Sequence, residues 1–259
     1  MTSSRIQPRL TTRFKTPLLA TLTAALLSAC AGTPAPGWQA DASSALESAN
    51  IAWLEGRTRS AQQDYALARS AVARTGKIDM IARVELTQCA AQVASLIMEE
   101  CAGFAPLRQD ASPAERAYAD YLEGKPQAQD VVLLPVAHRK VAASISHGTD
   151  SSAALTAISD PFARLIAAGV LLRSHHVTPA IIQNAVDTAS EQGWQRPLLA
   201  WLQLQALRAE HAGAVEEAQR IRRRMTLIST PSAAPAATSA TSSAAASATV
   251  PAASEPSGK

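Results

Sequence analysis

Aromatic side chains are scarce in this chain: tryptophan, tyrosine and phenylalanine together make up 4% of its 259 residues. With so few rings and so much alanine, helices are expected to pack closely and leave no large cavity between them. No segment alternates apolar and polar residues between hairpin turns, which excludes a β-sheet fold and leaves an all-α one. Gly-x-Ser-x-Gly, P-loop and dinucleotide glycine patterns are absent, so the common hydrolase, NTPase and dehydrogenase classes have no footing. The five histidines, His138, His147, His175, His176 and His211, show no His-Glu-x-x-His or comparable ligand spacing. Adjacent His175 and His176 fall in a turn and are expected to face solvent. No Cys-x-x-Cys pair is present, which removes the usual redox and zinc arrangements. Asp79, Glu85, Glu99 and Glu100 read as helix-cap or surface acids. No metal, no cofactor and no enzymatic activity are expected.

What is present begins with an apolar run from Leu18 to Cys30. At about a dozen residues it is too short to span a bilayer as a permanent helix. Arg5, Arg9, Arg13 and Lys15 precede it with no acid among them, the charge order of an export signal. The run ends in Leu27-Ser28-Ala29-Cys30, which resembles the bacterial lipobox, where signal peptidase cuts before a cysteine that carries lipid. That resemblance implies a signal peptide over residues 1–29 and Cys30 as a lipidated mature N-terminus. Two or more acyl chains would make the attachment effectively stable. Ala31 in place of an aspartate implies transfer to the outer membrane of a Gram-negative cell, on its periplasmic face. Residues 30–41, rich in Gly, Pro and Thr, then read as a flexible tether. The formal charge of +3 also changes, because loss of the four leader cations from 24 basic residues leaves 20 against 21 acidic ones. A near-neutral mature chain gives no case for a nucleic-acid partner.

From Ser43 the apolar spacing becomes helical. Ser44-Ala45-Leu46-Glu47 fits a capping box for a helix running through Leu46, Ala49, Ala52 and Trp53 to Gly56. A second helix is expected from Thr58 to Thr75. A third starts near Asp79, carries Leu86, Cys89, Val93 and Leu96 on one stripe, and ends near Ile97, before Glu99 and Glu100 meet the negative end of the dipole. Ser112-Pro113-Ala114-Glu115, Asp160-Pro161 and Thr178-Pro179 each open a further helix. Residues 127–146 are expected to form a helix kinked or broken at Pro135. A helix from Pro197 to His211 is apolar nearly all round and is expected to be central. The last helix is expected to end in Arg220-Ile221-Arg222-Arg223-Arg224. From about Ser229 the chain is almost entirely Ala, Ser, Pro and Thr, which cannot bury enough apolar surface to order itself.

Gly56, Ala61, Tyr65 and Ala68 stand at spacings of five, four and three, and Gly213 and Ala218 repeat the first interval. These resemble the turn and second-helix positions of tetratricopeptide repeats, over residues 42–75 and 198–228. The resemblance implies an irregular array of helical hairpins over residues 42–228, followed by a disordered tail over 229–259. Cys89 and Cys101 are expected to bridge in an oxidising compartment rather than remain two buried thiols. An unbroken helix between them would hold the sulfurs about 18 Å apart, so the bridge requires the helix to end first. Arg220, Arg222, Arg223 and Arg224 form a candidate basic contact patch, or simply cations that stabilise a helix C-terminus. By resemblance, tethered helical-hairpin lipoproteins serve as scaffolds or accessory factors in the envelope, binding the membrane through lipid and another envelope protein through their helices. The alternative is a helical carrier of a small hydrophobic ligand.

Overall fold

The computed structural model describes residues 36–230, and among them it contains ten α-helices, two short 3-10 segments and no strand. The helices are α1 (Gly37–Leu54), α2 (Thr58–Ala73), α3 (Ile78–Ala94), α4 (Pro113–Leu122) and α5 (Val136–His147). They continue with α6 (Ser152–Thr156), α7 (Pro161–Arg173), α8 (Pro179–Glu191), α9 (Gln195–His211) and α10 (Val215–Ser229). The fold is an irregular array of helical hairpins. α1 pairs with α2, α9 pairs with both α8 and α10, and α3 and α7 cross in the middle, each touching several other helices.

Local sequence accounts for most of the boundaries. Ser112, Asp160 and Thr178 cap α4, α7 and α8 by accepting the N–H of the residue three positions on, each followed by proline in the first turn. Gly56 closes the α1–α2 turn at φ +89°, a conformation that costs side-chain-bearing residues energy. Ala61, Tyr65 and Ala68 are all buried on α2, as the repeat-like spacing implies, and Ala218 is buried on α10. The stretch around Pro135 is a broken helix: a 3-10 segment over Ala128–Leu133 gives way to α5, with Pro135 at the N-cap.

Four boundaries or placements differ from expectation, each for a physical reason. α1 starts at Gly37, within the stretch expected to be tether, with Pro36 at its N-cap and no side-chain cap. Trp38, Ala42 and Ala45 extend the apolar stripe one turn at a time, packing with Ala68, Ala71, Val72 and Val84. Ser44 therefore lies mid-helix, and no capping box forms there. α3 stops at Ala94, because Leu96 adopts a left-handed φ of 58° and the Ile97 and Leu96 amides turn back to Gln92 O and Val93 O at 2.9 and 3.0 Å. This is a Schellman ending with leucine where glycine is usual. α9 buries Trp201, Leu202 and Ala206 but exposes Leu207, so it flanks the core while α3 and α7 occupy its centre. α10 runs on to Ser229, which puts the four arginines in mid-helix and removes the dipole explanation for them. Residues 231–259, the expected tail, lie outside the described residues, as do Cys30 and the leader.

The end of α3 is the junction of the molecule. Trp53 of α1 donates its indole N–H to Ala91 O at 2.9 Å, and Trp201 of α9 donates to Ala94 O at 3.1 Å. These carbonyls belong to the last turn of α3, where intrahelical donors run out. A third link closes the array: Arg196 of α9 stacks over the Trp53 ring at 4.1 Å, donates to Trp53 O and reaches Thr58 Oγ1. Arg173, at the end of α7, donates to Glu99 O and Leu122 O, and so ties that end to the end of α4 and to the loop after α3.

Candidate functional site

A largely apolar surface hollow lies between α3, α4 and the segment leading to Pro135. It encloses about 380 Å³, with Leu86 and Thr87 on one wall, Tyr118 on another and Leu133, Leu134 and Pro135 on the third. The 3-10 turn and the proline decide its character. A helix through this stretch would have buried one face of Val131 to Val136, whereas the break turns Val132, Leu133 and Val136 outward, at 68%, 38% and 76% exposure. Only Leu134 of that set is fully buried. Large apolar groups gathered on one surface in this way mark binding sites more often than scattered ones do.

Charge borders the hollow. Arg83 pairs with Glu115 at 2.7 Å, the carboxylate being almost fully buried and the guanidinium largely exposed. Glu115 also accepts a hydrogen bond from the Ser112 hydroxyl, so its negative charge is engaged inside the structure. Arg139 folds back to donate to Leu134 O at 2.8 Å, and Lys140 lines a separate hollow together with Val136 and Asp160. On the hollow itself the exposed charge is therefore that of Arg83, since Glu115 beside it is buried.

Beneath it lies a buried polar contact. The Tyr121 hydroxyl is 3.2 Å from His138 Nδ1, and the Tyr118 ring packs near both. Burial lowers the His138 pKa from 6.5 to about 4, opposed in part by the charge of Asp160, and burial pushes the Tyr121 phenol well above its ordinary value. At neutral pH the imidazole is thus uncharged and able to accept a hydrogen bond from the phenol O–H. The unfolded chain takes up a proton at His138 near pH 6.5, while the folded chain resists until about 4. Stability is then complete above pH 6.5 and lost as pH falls toward 4, by about 2 kcal/mol at pH 5. Urea midpoints between pH 7.5 and 5 should show this slope in the native chain and a flatter one in His138→Gln; equal slopes would remove His138 as the cause.

The other residues singled out by sequence are dispersed. Cys89 and Cys101 lie at disulfide distance, with Cα atoms 5.6 Å apart, and pin the loop after α3 back onto that helix. The early stop of α3 is what makes this reach possible. Of the four arginines, Arg222 meets Glu210 at 2.6 Å, Arg224 donates to Ser190 Oγ at 3.1 Å, and Arg220 stands 4.0 Å from Glu217. These three engage different neighbours rather than one shared target, and Arg223 is exposed. His175 is exposed in a left-handed turn after α7, while His176 is half-buried. Among the described residues no group of three or more His, Cys, Asp or Glu side chains could hold a metal ion. No helix among them is long and apolar enough to cross a membrane. The hollow itself was not foreseen; the signal was Pro135 inside five large apolar residues, since a chain broken there cannot bury them all.

No protein-family model, curated protein or solved structure matches the chain.

Proposed function

We propose that this protein is held by lipid on Cys30 at the periplasmic face of the outer membrane, and that it acts by binding another envelope protein. The supporting observation is the exposed trio Val132, Leu133 and Val136, of which Leu133 lines the hollow beside Arg83 and Val136 lines the neighbouring one beside Lys140. A matching partner presents apolar side chains flanked by carboxylates. Its apolar groups fill the hollow, and its acids meet the rim, where charge chiefly sets the rate of encounter and the choice of partner. The carrier alternative draws less support, because the hollow opens to solvent through the exposed Leu133 instead of closing round a ligand.

A photoreactive side chain at Val136 in living cells tests the docking surface, with the same probe at exposed Leu67 of α2 as control. One reproducible envelope adduct is expected at 136 and not at 67, and it should disappear when Leu133→Asp is added. Absence of any adduct at 136 would sink the docking role. The anchor is tested separately: Cys30→Ser should abolish fatty-acid labelling and membrane attachment, and retained lipid would refute it.

A further inference from the structure

The described chain starts very close to the proposed anchor. Six residues, Ala31 to Pro36, separate Cys30 from the first residue of α1. Even fully drawn out, the span from Cys30 to Gly37 reaches no more than about 25 Å. α1 then runs about 27 Å to the Glu55–Arg57 turn. The two ends of the α1–α2 hairpin therefore stand at different distances from a lipid on Cys30. The near end carries Gly37 and, because α2 returns antiparallel, also the α2–α3 turn.

That near end has the chemistry of a headgroup-contacting surface. Trp38 is half-buried and packs with Met80 and Ile81 over the cluster of Ala42, Ala68 and Val72. Ile78, the first residue of α3, is 38% exposed. Arg74 and Lys77 are exposed in the turn, Arg74 only loosely paired with Asp41 at 3.4 Å. An indole with a polar edge, an exposed branched aliphatic and two cations together suit the boundary between acyl chains and phosphates.

We propose that this end of the domain, through Trp38, Ile78, Arg74 and Lys77, seats on the lipid headgroups and so fixes the orientation of the array on the membrane. The proposal rests on lipidation at Cys30. Four such residues give too little affinity to recruit a free domain. A short tether raises their local concentration to the millimolar range, where a weak contact is populated most of the time. The Glu55–Arg57 turn then points away from the bilayer.

The test uses the lipidated protein purified from membranes and placed in vesicles of phosphatidylethanolamine and phosphatidylglycerol. A fluorophore is attached at Gln39→Cys, in the first turn of α1, or at Arg57→Cys, in the far turn. A headgroup-linked quencher should quench the Gln39→Cys label several-fold more than the Arg57→Cys label. Adding Lys77→Glu and Ile78→Glu should bring the two labels close together. Equal quenching at both positions, or no response to the added pair, would overturn the seating while mass spectrometry still shows acyl chains on Cys30. A Cys30 without acyl mass would bring down the anchor and this orientation together.

Discussion

Replacing Trp201 with alanine is expected to destabilise the domain by about 4 kcal/mol, the range for deleting a large buried ring. Trp201 is fully buried on α9, and it performs two tasks that can be separated. Its ring fills the space between α9 and the end of α3, and its indole N–H satisfies Ala94 O at 3.1 Å. That carbonyl lies past the last backbone donor of α3, because the reversed amides at Leu96 and Ile97 serve Val93 and Gln92 instead. Trp201→Phe keeps most of the ring and loses only the donor, so it should cost about 1–2 kcal/mol. Urea unfolding of both variants gives the division. If Trp201→Phe proved as costly as the alanine variant, the hydrogen bond rather than the packing would hold α9 in place.

The second large effect comes from adding a single methyl group. Gly169 lies inside α7 at an ordinary helical φ, so backbone freedom does not explain it; space does. A β-carbon there would stand 2.8 Å from Val93 Cγ1 and 2.9 Å from Val93 C, and much of what it meets is the backbone of α3, which cannot swing aside. Gly169→Ala should therefore destabilise by about 3 kcal/mol through overpacking, despite the roughly 1 kcal/mol that alanine contributes on an unobstructed helix. For a domain of this size the melting temperature should fall by roughly 6–12 °C. Gly37→Ala is the control, since nothing lies within 4 Å of its added carbon. A Gly169→Ala variant as stable as that control would mean that α3 and α7 can separate without loss.

The helix starts at Ser112, Asp160 and Thr178 were legible because capping is local chemistry, settled within four residues. So was the possibility of a Cys89–Cys101 bridge, once two acids argued for an early end to α3. The elements that escaped reading depend on partners far along the chain. Nothing near Leu96 announces a left-handed residue; that conformation persists because Trp53 and Trp201, from two other helices, occupy the carbonyls beside it. α10 continues beyond Arg224 because Met225 and Ile228 pack against the main core, a contact that only the folded array reveals. The break at Pro135 was legible, but the exposure of Val132 and Leu133 before it follows from an angle that the spacing of residues does not set. His138 looked no different from the other histidines until α4 brought Tyr121 to it.

Arg196 bridges the first hairpin and the last, 143 positions apart in sequence at its bond to Trp53. An open stack of repeats can lengthen by duplicating a unit at either end, because each unit touches only its neighbours. Here the two ends hold each other through Trp53, Thr58 and Arg196. A hairpin inserted between them would push those groups apart. A duplicated hairpin would therefore have to break this closure, whereas a longer loop would leave it intact.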